Sequence, residues 1–322
     1  MHMRLPLRCL TLCLAFISSL PICLQAQSFT TAGTAPMIER YGKPYVEVMI
    51  AGKGPFRFIV DTGTGADAFI SPELADQLDL LSAGDAILDD PSHQGARRVP
   101  MVLVPSIELA GHTFFWVKAV RHAVSGEAGS CQGLLGFTLF RDYLLTLDFP
   151  RRQVMLASGS LTPDGEHNVL PFEVPEGVPI TTLHVDDQPF RAQLDSGGSG
   201  LTLPETLAAL QRWDVVPTPF ATGITMTTRF EIKAAKLSGN VRIGRYTFDH
   251  PVVEIHPAFP LVNFGSPPMQ NFAITFDQRN RLVRINAASQ RLTLTVPPSP
   301  TRLTYQPAPN TTATRSNLVP VG

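Results

Sequence analysis

Two short stretches hold the residues best suited to chemistry. Asp61-Thr62-Gly63 and Asp195-Ser196-Gly197 each place a carboxylate at the end of a largely apolar run, Phe58-Ile59-Val60 or Ala192-Gln193-Leu194. A glycine two residues after the aspartate permits a sharp turn and close approach of another segment. The hydroxyl residue between them can hydrogen-bond across a tight junction. One such tripeptide is weak, since chance supplies it in about one chain in ten at average composition, and its ordinary use is a β-turn with an Asx-type bond. Two that meet face to face are different. Carboxylates about 3 Å apart cannot both ionise, so the pair shares one proton and titrates in two separated steps. The ionised member can take a proton from a water while the protonated member polarises a carbonyl. That chemistry hydrolyses an amide without a covalent adduct, and it calls for no metal and no cofactor.

Other constellations are weaker. The histidines beyond the N-terminus form no HExxH and no Cys/His set with zinc spacing. Gly197-Gly198-Ser199-Gly200-Leu201 misses a serine nucleophile elbow at its last position, where leucine replaces glycine. Cys131 reads as an inert small core residue. Asp148 and Asp277 also recur as a pair, each before a polar turn (Pro150-Arg151-Arg152, Gln278-Arg279-Asn280), so they read as turn caps.

What brings the two aspartates together is an internal repeat. Pro55-Phe-Arg-Phe-Ile-Val-Asp61-Thr62-Gly63 recurs as Pro189-Phe-Arg-Ala-Gln-Leu-Asp195-Ser196-Gly197, 134 residues on, and Phe114 recurs as Phe248 at the same offset. Gly136 precedes Asp148 by 12 residues and Gly265 precedes Asp277 by 12, now at an offset of 129. Four anchors in one order at nearly one spacing mark a duplicated lobe. Each copy reads as strands: Tyr45–Ile50 and Ile180–Val185 are β-branched runs closed by the turns Ala51–Pro55 and Asp186–Pro189. Short helices are expected at Pro72–Leu80, Phe137–Tyr143 and Pro204–Gln211, the first and third with Ser71 before Pro72 or Thr202 before Leu203-Pro204, and Glu73 or Glu205 in the first turn. The predicted fold is all-β, two pseudo-two-fold-related barrel-like lobes with a few short helices, the lobes covering 37–160 and 161–288. Residues 289–322, rich in Pro, Thr, Asn and Ser, read as a disordered tail.

Composition agrees with this class. The 322 residues are 44% hydrophobic and 16% charged, enough for real cores and too little charge for a disordered polyampholyte. With 26 basic against 27 acidic residues there is no basic footprint for nucleic acid. The 29 prolines and 24 glycines fall between short apolar runs, which a helical bundle tolerates badly. Residues 1–26 carry Arg4 and Arg8, an uncharged run Cys9–Leu24 and a small residue at Ala26, the pattern of a secretory signal peptide. A lipoprotein cut before Cys23 is disfavoured by Ile22, where a small residue belongs. Cleavage at Ala26 leaves one cysteine, so the mature chain forms no internal disulfide and reads as an exported, periplasmic or secreted protein with no membrane span.

These motifs together resemble a bilobal aspartic peptidase of the pepsin/retropepsin-like superfamily, in a bacterial exported form, over about 37–288. The resemblance makes Leu134-Leu135-Gly136 the apolar-apolar-Gly element of the first copy and Asn263-Phe264-Gly265 its variant in the second. It implies that Asp61 and Asp195 are the catalytic pair, supported by Thr62, Gly63, Thr64, Ser196, Gly197, Gly198 and Ser199, with Thr62 and Ser196 buttressing the two loops. The fourth residue commonly offers a hydroxyl to the outer carboxylate oxygen. Thr64 fits and Gly198 does not, so Ser199 is the expected substitute. A covering flap is implied within Ile87–Val102, with Gly95 as candidate tip and His93 the guess for its polar side chain. The counterpart is Phe220–Ile232 with Gly223. The implied partner is a peptide or protein in extended conformation, bound by a monomer. Two alternatives stay open at this level. One is a bilobal peptide- or ligand-binding protein of the cell envelope with weak or lost turnover, for which Gly198 and Asn263 are the support. The other is an envelope interaction protein whose tail recruits a partner.

Overall fold

Two-residue turns with positive φ set the first hairpin of each copy. Strands Lys43–Ile50 and Lys53–Asp61 are joined by Ala51 and Gly52, at φ 48° and 73°. Strands Ile180–Val185 and Gln188–Leu194 are joined by Asp186 and Asp187, at φ 48° and 64°. Positive φ at both central positions is the turn whose twist matches that of the flanking strands. The computed structural model describes residues 32–40, 42–89, 96–124, 131–224, 229–257 and 259–295. The proposed signal peptide, His93, Gly95 and residues 296–322 lie outside these.

The chain is all-β with a few short helices, as the sequence predicts. An eight-stranded sheet contains, in spatial order, Lys43–Ile50, Lys53–Asp61, Gly133–Gly136, Ala68–Ile70, His112–Arg121, Arg97–Leu109 and Leu81–Leu88, with Ile38–Arg40 at its edge. Pairing of Met49 with Glu108 closes this sheet on itself. A ten-stranded sheet repeats the order with Ile180–Val185, Gln188–Leu194, Val262–Phe264, Leu201–Pro204, Val252–His256, Arg229–Leu237 and Trp213–Ile224. Equivalent segments of the repeat therefore occupy equivalent places.

A third sheet of six strands takes members from both copies. Its centre is the antiparallel pair Leu144–Asp148 and Phe272–Asp277, in which Thr146 faces Thr275 with the two hydroxyls 2.9 Å apart. The pseudo-two-fold axis passes between these residues, whose separation of 129 is the offset read in the sequence. Asp148 and Asp277 flank the axis and cap turns, as expected: their Oδ1 atoms accept from Arg151 N at 3.0 Å and Asn280 N at 3.1 Å. Phe137 of the first copy meets Phe276 of the second edge-to-face at 5.2 Å, so the apolar core runs beneath this sheet from one copy into the other.

Three expectations need correction. Residues 289–295 are not part of a disordered tail: Arg291–Leu292 adds a parallel strand to Tyr246–Asp249, Leu292 is buried, and Val252 N donates to Leu294 O at 2.7 Å. A two-residue strand is too short to show a period, but one buried leucine and an open edge suffice. The first copy also begins before residue 37, because Gly33–Pro36 pairs with Gln153–Leu156 in the shared sheet. The helices are shorter than expected. Pro72–Gln77 forms with Ser71 as its cap, Oγ accepting from Leu74 N at 3.1 Å. Phe137–Phe140 is a 3₁₀ turn, and Glu205–Ala208 is one turn. Ser266–Met269, a further short helix, is the second copy's counterpart of Phe137–Phe140. Among the described residues no helix is long and apolar enough to cross a membrane.

Candidate active site

Each aspartate sits where a strand ends against a glycine-bearing neighbour. Lys53–Asp61 runs parallel to Gly133–Gly136 with Asp61 beside Gly136, and Gln188–Leu194 runs parallel to Val262–Phe264, with Asp195 N donating to Phe264 O at 3.0 Å. The chain then turns, Thr64 N reaching Asp61 O and Gly198 N reaching Asp195 O. Phe137 N holds Thr64 O at 3.0 Å, and Ser266 N holds Gly198 O at 3.2 Å. Gly136 and Gly265 are needed for this contact. A Cβ at Gly136 would lie 1.8 Å from Ala66 O, and one at Gly265 2.5 Å from Gly200 O.

Between the two turns lies a closed set of four hydrogen bonds. Thr62 N donates to Ser196 Oγ at 3.0 Å and Ser196 N to Thr62 Oγ1 at 2.9 Å. Thr62 Oγ1 donates to Leu194 O at 2.7 Å, and Ser196 Oγ to Val60 O at 2.6 Å. Both side chains are 0% exposed. Each hydroxyl thus accepts from the opposite loop and donates to the strand that feeds it.

This lock brings Asp61 and Asp195 within side-chain hydrogen-bonding reach of one another. Asp61 Oδ1 accepts from Gly63 N and Asp195 Oδ1 from Gly197 N, both at 2.9 Å. Gly63 and Gly197 are required for close approach rather than for a special turn. Neither has positive φ, yet a Cβ at Gly63 would lie 2.3 Å from Asp195 Oδ1 and one at Gly197 2.5 Å from Asp61 Cγ. Gly197→Ala is therefore expected to push the carboxyls apart and reduce hydrolysis at least tenfold, with a smaller loss in thermal midpoint. A crystal structure and kcat for this variant would check it, and wild-type kcat would show that the close packing is dispensable. Burial and the neighbouring Asp195 raise the Asp61 pKa from 3.8 to about 7, against the pull of the Lys43 cation.

The outer carboxylate oxygens are supported differently. Thr64 Oγ1 donates to Asp61 Oδ2 at 3.3 Å, as the resemblance implies. Gly198 offers nothing, and Ser199, the expected substitute, points elsewhere: its Oγ donates to Glu254 Oε2 at 2.9 Å. Asp195 Oδ2 instead accepts from Asn263 Nδ2 at 2.8 Å. Ser199 follows the strand direction away from the pair, toward Val252–His256, whereas Asn263 lies in the strand alongside Asp195.

Residues 46–139 match the family model of aspartyl proteases. The matched segment holds Asp61-Thr62-Gly63-Thr64 and Leu134-Leu135-Gly136, and it supports an aspartic peptidase superfamily and hydrolase chemistry for this chain. It ends before Asp195. No curated protein matches the sequence.

Two residues beside the aspartyl-protease-like loops escaped the sequence reading. Lys43 Nζ donates to Gly197 O and places a cation near Asp61. Glu254 is buried in the strand Val252–His256, where burial pushes its carboxyl above the ordinary range. Its signal was available, since an acid inside the apolar run Val252-Val253-Glu254-Ile255 is the kind of anomaly that marks a site. Gly223 lies within the strand Trp213–Ile224, paired with Phe230, and so is not a tip. Within the first implied flap segment, Ile87–Val102, Ile87 pairs with Arg98 and Leu88 with Arg97, while the candidates His93 and Gly95 fall outside the described residues. Cys131 is half-buried, its Sγ donates to Gly133 O at 2.9 Å, and burial pushes the thiol pKa up, so it stays protonated and poorly nucleophilic. Among the described residues no cluster of three or more His, Cys, Asp or Glu is placed to hold a metal ion.

Proposed function

We propose that this chain is an aspartic endopeptidase acting on extended peptide segments held between two lobes, as a monomer exported through its N-terminal signal. The observation that carries the reading is the reciprocal lock of Thr62 and Ser196, which presses two carboxyls from equivalent loops into contact. In the first step the ionised carboxylate takes a proton from a water as its oxygen bonds to the scissile carbonyl carbon. The protonated carboxyl gives its proton to the carbonyl oxygen. The tetrahedral diol then collapses: one hydroxyl returns its proton to the pair as the carbonyl re-forms, and the C–N bond breaks as the amine nitrogen receives a proton from the pair, which ends with the one proton it began with. Gly198 and Asn263, the residues that would argue for lost turnover, together leave Asp195 supported.

Incubating the exported chain with a denatured protein mixture from pH 3 to 8, with and without a hydroxyl-bearing transition-state peptide, tests the reading. Cleavage at internal bonds, blocked by the peptide, is expected. Activity requires one proton on the pair, so kcat/KM should fall as pH rises through about 7, where Asp61 releases it. Absence of cleavage at every pH would overturn the reading. Recovery of a chain beginning at Gln27 from the extracytoplasmic fraction would test the export proposal.

A further inference from the structure

The site departs from its own two-fold symmetry in how the outer carboxylate oxygens are supported. Where the first copy has Thr64 and Leu134, the second has Gly198 and Asn263, so the hydroxyl and the apolar residue are exchanged for no side chain and an amide. The two changes need each other. A Cβ at Gly198 would lie 2.9 Å from Asp195 Oδ2 and 3.0 Å from Asn263 Nδ2, tighter than ordinary contact, so a side chain there would crowd the amide off the carboxylate. The supports are also unequal, with 2.8 Å for the amide on Asp195 and 3.3 Å for the hydroxyl on Asp61.

We propose that Asn263, reaching through the space left by Gly198, is a positioning residue that decides where the shared proton resides, holding Asp195 as the base and leaving Asp61 as the acid. This rests on the peptidase reading above. A hydroxyl adapts to either state of its partner, because it donates to a carboxylate and, after rotation, accepts from a carboxylic acid. An amide N–H₂ only donates. At Asp195 it is satisfied only while Oδ2 is an acceptor, whereas Thr64 serves Asp61 in both states. Turning the amide over would set Asn263 Oδ1 against Asp195 Oδ2, two acceptors facing each other. In the orientation present, Oδ1 is buried and has no hydrogen-bond partner among the described residues, so the Asp195 bond fixes which end points inward. Of the other titratable groups around the pair, Lys43 pulls Asp61 toward the carboxylate and so opposes this bias, but burial and Asp195 outweigh it; Glu254 is engaged by Ser199, and the Cys131 thiol beside Asp61 is neutral.

Two measurements on full-length mature protein test this, each on wild type, Asn263→Leu, Asn263→Ser, Gly198→Ser and the Asn263→Leu/Gly198→Ser double variant. The first is a site-resolved ¹³C carboxyl titration of Asp61 and Asp195, which needs no activity. The second is the pH profile of kcat/KM. In wild type the shared proton should report on Asp61. Either Asn263 single variant should spread it over both carboxyls, lower kcat about ten- to hundredfold with little change in KM, as loss of a hydrogen bond to a charged group does, and move the acid limb to higher pH. The double variant, with a hydroxyl at 198 as in the first copy, should recover most of kcat. Gly198→Ser alone should lose activity through crowding. An unchanged titration and acid limb in both Asn263 single variants would overturn the proposal, as would a double variant no better than Asn263→Leu. If wild type cleaves nothing, the peptidase reading fails, but the titration still decides the role of Asn263.

Discussion

Asp61→Asn and Asp195→Asn are each expected to lower peptide hydrolysis a thousandfold or more while leaving the fold in place. The mechanism needs one ionised and one protonated carboxyl, and an amide can be neither, so each variant removes one partner of a general acid–base pair. Geometry favours survival of the fold. At Asp61 the new Oδ1 still accepts from Gly63 N and the Thr64 hydroxyl can turn to accept from the new amide. At Asp195 the new Oδ1 still accepts from Gly197 N, while the new amide would face Asn263 Nδ2, so Asp195→Asn should cost one hydrogen bond more than Asp61→Asn. Stability should respond to pH with a definite sign. The folded Asp61 pKa is about 7 against an ordinary 3.8, so the native state binds this proton more tightly than the unfolded chain does. Its contribution is complete below about pH 4 and is lost as pH rises through about 7. Wild type should therefore lose stability over that window, and Asp61→Asn, with nothing to release, should lose less and melt above wild type at pH 8. Some slope will remain, because burial also raises the Glu254 pKa and acts in the same direction. Thermal midpoints from pH 4 to 8 and hydrolysis at the wild-type optimum check both parts. More than a few per cent residual activity in either variant would place the chemistry elsewhere.

The two aspartate loops were legible because duplication turns a weak tripeptide into a symmetric pair. Offsets of 134 and 129 recur in the structure as the Thr62–Ser196 and Thr146–Thr275 contacts, so the axis itself was written in the spacing. What did not show was anything set by neighbours distant in sequence. Lys43 reaches Gly197 across 154 residues, and no local pattern announces that contact. Ser199 was the natural substitute for a missing hydroxyl, being adjacent in sequence. The backbone after Gly198 turns it toward Glu254, while Asn263, 68 residues away, arrives beside Asp195 on a parallel strand. Short elements were hidden for another reason. Gly33–Pro36 and Arg291–Leu292 are held by pairing with existing edges, and two to four residues carry too little period to be read.

The lock between the loops makes the second large prediction. Thr62→Val keeps the shape of the side chain and removes its hydroxyl, which leaves Leu194 O without a donor and Ser196 N without an acceptor, both beside residues that are 0% exposed. Each buried group left unpaired costs roughly 1–3 kcal/mol, and for a chain of this size each kcal/mol lowers the thermal midpoint by roughly 2–4 °C. Ser196→Ala strands a different two groups, Thr62 N and Val60 O, so its cost should be of the same size, although the side chain is smaller. Because the two variants break separate bonds, their effects should add until the loops part. Once they do, water reaches the remaining groups and the double variant should cost less than the sum. Turnover should fall in both singles, since neither hydroxyl moves a proton in the reaction but both fix the distance between the carboxyls that do. Thr62→Ser is the control. It retains the hydroxyl and reproduces in the first loop the residue that the second already uses, so it should keep near-wild-type turnover and lose only what one buried methyl contributes, about 1 kcal/mol. Thr62→Val and Ser196→Ala proteins with wild-type midpoint and turnover would show that backbone pairing alone holds the aspartates together. The carboxyls would then owe their contact to the flanking glycine strands, and not to the hydroxyl pair.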